Sequence, residues 1–168
     1  VYHVNMLEKL LATILAKISN FVPEAGIWLN TQRPEWNDAN NALVGNGTSM
    51  VTLYYMRRFF SFFDDLIESV DFTSSAISEE LHRFFIEILT QLNKHESILA
   101  NPITLQDRQS VVDALGQAGS SYRNQIYNNG FSSKTADISI SDLKAFIHVS
   151  LSFIDHSIDA NKREDGLY

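Results

Sequence analysis

The densest group of chemically useful side chains lies in residues 33–41. This segment reads Arg-Pro-Glu-Trp-Asn-Asp-Ala-Asn-Asn and holds two carboxylates, a guanidinium, an indole and three amides. Carboxylates and amides form hydrogen bonds at fixed geometry, which suits the hydroxyls of sugars. The flat face of an indole suits the C–H surface of a sugar ring. The composition therefore fits carbohydrate binding, with these candidate site residues: Arg33, Glu35, Trp36, Asn37, Asp38, Asn40 and Asn41.

Glu35 and Asp38 are the candidate acids of this segment. A carboxylic acid beside an apolar ring has its pKa raised, which suits a general acid. Inverting hydrolysis also needs a second carboxyl group, roughly 6.5–9.5 Å from the first. Residues three apart on one helical turn have Cβ atoms only about 5–6 Å apart. We therefore expect the second catalytic group to come from elsewhere.

The stretch from Glu35 to Asn41 resembles the Asp-Trp-Asn-Asp-Gly-Met-Asn signature of inverting disaccharide phosphorylases, such as cellobiose phosphorylase. The resemblance implies that the catalytic acid lies here. Asp38 matches the signature in identity and is the first candidate, while Glu35 replaces an aspartate and is the second. The resemblance also implies an (α/α)6 toroid, which is a ring of helical hairpins whose loops build the active site. Ala39 and Asn40 replace the Gly-Met of the signature, which leaves the substrate open.

Apolar residues at three- and four-residue steps predict five long helices. Thr48 or Ser49 is expected to cap the second helix, Thr104 with Asp107 the fourth and Ser139 with Asp142 the fifth, and Asn128-Asn129-Gly130 is expected to end the fourth. No strand-like alternation persists, so the predicted fold class is all-α, with about five antiparallel helices in hairpins. The resemblance makes them a section of a toroid. The predicted apolar faces span residues 7–18, 50–70, 77–92, 111–126 and 143–158.

Residues 21–48 are predicted to form one long loop between the first two helices. Loops of this length are usually functional or disordered, and its apolar residues favour an ordered one. Trp28 is interpreted as a core residue rather than a sugar platform. Gly116 and Gly119 predict close packing of the fourth helix against a neighbour, because each glycine costs about 1 kcal/mol in a helix.

Composition and charge exclude several classes of partner. The formal net charge of -7 argues against nucleic acid and against docking to anionic membranes. No apolar run approaches the length of a transmembrane helix. There is no cysteine, and no two histidines have the four-residue spacing of a metal site, so we expect no metal and no cofactor. The compartment is left open, with the cytoplasm favoured.

The two ends of the chain look cut, which predicts that residues 1–168 are a single helical domain or a fragment of a larger catalytic domain. The expected function is part of a glycoside hydrolase or phosphorylase that is inactive alone, with an oligosaccharide substrate and the remainder of the parent polypeptide as partners. The alternative is a non-catalytic helical interaction module. Its binding surface would be the aromatic residues Tyr54, Tyr55, Phe59, Phe60, Phe62 and Phe63.

Overall fold

The computed structural model describes residues 3–30, 46–70, 73–162 and 165. Five α-helices make up most of this part of the chain, so the mostly helical prediction is confirmed. A short 3-10 helix, Glu96–Ala100, follows the third of them. The α-helices are α1 (Met6–Ile18), α2 (Met50–Ser69), α3 (Glu79–His95), α4 (Leu105–Asn129) and α5 (Ile140–Ala160).

The prediction of an all-α fold is wrong in one respect, because two small antiparallel sheets accompany the helices. Sheet A contains β1 (Phe21–Val22), β2 (Gly26–Asn30) and β3 (Asn46–Ser49), in that order. Sheet B pairs β4 (Ser74–Ser78) with β5 (Thr135–Ser139). Strands therefore occupy parts of three predicted connections between helices, and Ile77 lies in β4 rather than on a helix.

Side-chain caps begin three helices at the positions that the sequence indicates. The Ser49 hydroxyl accepts a hydrogen bond from the Thr52 amide at 3.1 Å. Thr104 and Asp107 form a reciprocal capping box at the start of α4. The Ser139 hydroxyl accepts from the Asp142 amide at 3.0 Å. Each cap satisfies an amide that the helix leaves without a partner, which fixes where the helix starts.

The helices alternate in direction between the two sheets. α1 runs into sheet A, α2 leaves from β3, and α3 and α5 leave from the two strands of sheet B. Between the sheets, the rings of Phe60 and Phe85 meet Phe146 edge to face, at 5.6 and 5.3 Å between centroids. All three rings are fully buried. We call the two ends of this helical array the sheet A end and the sheet B end.

The two glycines of α4 lie in different surroundings. A Cβ added to Gly119 would lie 2.8 Å from both the Cβ and the hydroxyl of Ser19, at the end of α1, whereas one added to Gly116 would meet nothing within 4 Å. The prediction of close packing is therefore confirmed for Gly119 and wrong for Gly116.

Alanine at these two positions should have opposite effects on stability. Gly119→Ala should lower the free energy of unfolding by about 1–3 kcal/mol, because the new methyl group overlaps Ser19. Gly116→Ala should raise it by up to about 1 kcal/mol, because alanine favours the helix and restricts the unfolded chain. Urea unfolding of both variants beside the wild type measures this. A similar change at both positions would contradict the close approach of α1 and α4.

Candidate functional site

The candidate residues Arg33, Glu35, Trp36, Asn37, Asp38, Asn40 and Asn41 all lie in residues 31–45, outside the described residues. The structure does describe the strands on either side. Asn30, the last residue of β2, pairs in register with Asn46, the first residue of β3. Paired residues in antiparallel strands have Cα atoms about 4.5–5.5 Å apart. The segment 31–45 therefore leaves and re-enters the fold at one place, at the open end of the β2–β3 hairpin.

The base of this hairpin is fixed to the helical core. Ile27 of β2 is fully buried and pairs with Ser49, the residue that caps α2. Gly26 has a φ of 116°, and a Cβ there would lie 2.8 Å from the Ser49 carbonyl oxygen. A residue other than glycine would thus be strained and would push the strands apart. The hairpin has a defined position relative to α2.

The turn before β2 is bound to two helices through Glu24. This residue has a left-handed φ of 60°. Its carboxylate lies 2.5 Å from the Arg108 guanidinium of α4 and 3.3 Å from the His156 ring of α5. Its amide donates to the Ser157 hydroxyl at 3.0 Å, and its carbonyl accepts from the Asn161 amide at 2.8 Å. These contacts hold sheet A against the ends of α4 and α5.

A polar cavity of about 420 Å³ lies between α2 and α5 at the sheet A end. Arg57 of α2 and Asp155 of α5 form an ion pair at 2.5 Å, with both side chains nearly half exposed. Asp159 follows Asp155 one helical turn later, and Tyr54 and Ile158 complete the lining. A guanidinium and two carboxylates offer both donors and acceptors on one concave surface. This surface suits a neutral ligand with many hydroxyls.

Trp28 is exposed rather than buried, so its interpretation as a core residue is wrong. Its side chain is 45% exposed, whereas the neighbouring Ile27 is fully buried. Successive side chains of a strand point to opposite faces, so burying Ile27 directs Trp28 outward. Its cross-strand partner is Thr48 of β3. The outer face of the hairpin therefore presents an indole.

A second cavity, of about 450 Å³, lies between α3 and α4 and includes Glu80 and Tyr122. Burial acts to raise the pKa of Glu80, but hydrogen bonds from Ser132 help to outweigh it and hold this pKa below its usual value. Burial, followed by the charges of Glu8 and Glu80, raises the pKa of the Tyr122 phenol. The Ser132 amide donates to Glu80 at 2.9 Å and so binds the chain after α4 to α3. Glu80 thus has a structural role at the sheet B end.

Sequence reasoning misses Glu24 and Arg108, because these two residues are far apart in the sequence and no local pattern relates them. Arg57 and Asp155 are likewise distant in sequence. The buried acids give a detectable signal. Glu8 lies three and seven residues before Leu11 and Leu15, and Glu80 lies four residues before Phe84. An acid at the spacing of an apolar helix face indicates a buried hydrogen-bonded carboxylate.

Neither a metal site nor a membrane span is found in the part of the chain that the structure describes. No group of three histidine, aspartate or glutamate side chains there is arranged to hold a metal ion. No helix there has the length and apolar character that crossing a bilayer requires.

Known proteins add no family to these observations. No protein-family model and no curated protein matches the sequence. A function for this chain therefore depends on the residue types of 31–45, on the hairpin that carries that segment and on the polar cavity at the same end of the fold.

Proposed function

We propose that this chain is part of a carbohydrate-active enzyme that cleaves glycosidic bonds with inversion, by hydrolysis or by phosphorolysis. The acid is Asp38 or Glu35. The observation that carries the proposal is the register pair Asn30–Asn46, which brings both ends of the acid- and amide-rich segment 31–45 together on a hairpin anchored in the core. Active-site residues are often carried by loops that a rigid scaffold positions.

The chemistry requires a proton donor and a nucleophile on opposite faces of the sugar ring. The acid transfers its proton to the glycosidic oxygen as the bond from that oxygen to the anomeric carbon breaks. Either a water that a carboxylate deprotonates, or a bound phosphate, attacks the anomeric carbon from the other side. Arg33, Trp36, Asn37, Asn40 and Asn41 bind the sugar in this proposal. The second catalytic group lies elsewhere in a longer polypeptide, of which these helices form a section of an (α/α)6 toroid.

The polar cavity at the sheet A end supports a sugar ligand over an anionic one. Arg57 and Asp155 already balance each other's charge, so the cavity presents hydrogen-bonding groups without a free cationic cluster for a phosphate ester. Tyr54 and Arg57 lie in the first turns of α2, which follows β3 directly. The cavity and the β2–β3 hairpin, which flanks residues 31–45 in the sequence, therefore both lie near the start of α2.

Turnover of disaccharides by the longer polypeptide tests the proposal. We expect cleavage either in water alone or only with inorganic phosphate, and these two conditions separate hydrolysis from phosphorolysis. Proton NMR of the first product should show the anomeric configuration opposite to that of the substrate. Retention of configuration would contradict the inverting mechanism, and the absence of cleavage under both conditions would contradict the enzyme assignment.

A helical interaction module is the second candidate, and one apolar groove favours it. The groove between α1 and α2 has a volume of about 370 Å³ and includes Leu10, Phe63 and Leu66. Close by on α2, Phe62 is 59% exposed. Leu66→Asp should lower the stability of the isolated chain by about 1–2 kcal/mol, because Leu66 is only 38% exposed and the rest of its side chain packs in the groove. If the longer polypeptide cleaves no sugar and loses clearly more stability than this with the same change, the scaffold function replaces the enzyme.

A further inference from the structure

Trp28 is an exposed aromatic residue whose backbone is fixed on both sides. Its backbone amide donates to the Asn20 carbonyl at 2.7 Å, and its strand is paired with β3 through Thr48. The residue before it, Ile27, is fully buried and fixes the strand to the core. The indole itself is 45% exposed, so a large apolar face stays in water. A tryptophan has only two side-chain torsions, so a ligand that covers it loses little entropy in ordering it.

We propose that Trp28 is a stacking platform for one sugar ring of a neutral oligosaccharide. This inference rests on the proposed function and adds to it a binding residue outside the segment 31–45. Trp28 lies two residues before the end of β2, which is about 7 Å along a strand from the place where the segment begins. A sugar ring on the indole therefore lies close to the end of β2, within reach of a neighbouring ring of the same oligosaccharide.

The chemistry of this face selects the ligand class. The faces of pyranose rings carry C–H groups that pack on the π surface of an indole, while their hydroxyls stay at the edge and reach water or polar neighbours. Thr48, the cross-strand partner of Trp28 on β3, is half-buried and has a side-chain hydroxyl. The net charge of -7 disfavours anionic ligands. A neutral oligosaccharide has C–H faces for the indole, hydroxyls for polar neighbours such as Thr48, and no negative charge.

Fluorine NMR of the 168-residue chain labelled with 5-fluorotryptophan tests this directly. The chain has two tryptophans, so two resonances are expected, and the variant Trp28→Phe identifies the signal of Trp28 by its loss. Cellotriose, maltotriose and xylotriose are the probes. We expect the Trp28 resonance to shift with at least one of them and to saturate. Calorimetry should then show about tenfold weaker binding of that sugar to Trp28→Ala.

Tyr127→Ala is the matched control, because this aromatic residue is 81% exposed at the opposite, sheet B end and its loss should leave binding unchanged. Circular dichroism checks that Trp28→Ala is folded, and Trp28→Phe, which retains a flat ring, should bind with intermediate affinity. If a sugar binds while the Trp28 signal stays fixed and Trp28→Ala keeps wild-type affinity, the platform is overturned and the proposed function stands. If no probe binds to the wild type, the platform is overturned regardless of what the longer polypeptide cleaves.

Discussion

Asp38→Asn in the longer polypeptide should reduce the kcat of glycosidic cleavage by about 10²–10⁴-fold. Asparagine has nearly the shape of aspartate but no proton to transfer, and general acid catalysis contributes about this much to rate. The KM should change little, because the amide still forms hydrogen bonds to a sugar hydroxyl. Steady-state kinetics on a disaccharide measure both constants.

The leaving group provides a readout that a merely structural role would not affect. An aryl glycoside whose phenol leaves without protonation needs little acid assistance, so Asp38→Asn should lose far less activity on it than on a disaccharide. Asp113→Asn, a change at an exposed aspartate of α4, should leave the activity on both substrates unchanged. If Glu35→Gln shows this pattern instead, Glu35 is the acid. If neither variant shows it, residues 31–45 do not supply the acid.

Glu8→Ala should lower the free energy of unfolding by about 3 kcal/mol. The Glu8 carboxylate is buried and accepts hydrogen bonds from the Ser78 amide at 3.1 Å and the Ser78 hydroxyl at 2.5 Å. Hydrogen bonds to a charged group contribute about 1.5–3 kcal/mol each, and alanine leaves two buried donors without an acceptor. Urea unfolding followed by circular dichroism measures the change.

Two further variants test whether the loss of stability comes from the buried hydrogen bonds of Glu8 or only from the removal of a negative charge. Glu68→Ala removes an exposed carboxylate that lies 3.0 Å from the Lys144 ammonium group, and it should cost no more than about 1 kcal/mol, as surface ion pairs do. Glu8→Gln retains one acceptor and should lie between wild type and Glu8→Ala. Equal losses from Glu8→Ala and Glu68→Ala would show that the contact between α1 and β4 contributes little.

The helix boundaries could be predicted because their signals are local. Ser49, Thr104 and Ser139 each cap a helix with a side chain that reaches an amide three residues later. A left-handed Gly130 follows the end of α4, as the Asn-Asn-Gly sequence indicates. These signals depend on residues within one turn of each other, so the sequence alone contains them.

The two strands of sheet B could not be predicted, because they are distant in the sequence and their residues are mostly small and polar. β4 reads Ser-Ser-Ala-Ile-Ser and β5 reads Thr-Ala-Asp-Ile-Ser. Each has one large apolar residue, Ile77 or Ile138, and both are buried. One large apolar residue in five does not establish a period of two. Ile77 also continues the apolar spacing of α3, so the sequence pattern predicts a helix at this residue instead of a strand.

Part of the candidate site could likewise be predicted from local composition, and the rest depends on contacts between residues that are distant in the sequence. The residue types of 31–45 are visible in the sequence and suggest a sugar ligand. The pairing of Asn30 with Asn46 and the ion pair of Arg57 with Asp155 join residues that no local pattern relates. The exposure of Trp28 depends on which face of β2 the core takes, and this follows only from the position of Ile27.

The hairpin base in sheet A has a consequence for how this protein can diversify. Because β2 and β3 are already paired, a longer stretch between Asn30 and Asn46 costs additional entropy of loop closure. Doubling a loop's length costs only about 0.6 kcal/mol. Loop closure therefore sets only a small free-energy cost on insertions between these two asparagines. Natural variants should differ there in length and residue type, and ligand preference can change while the helices keep their packing.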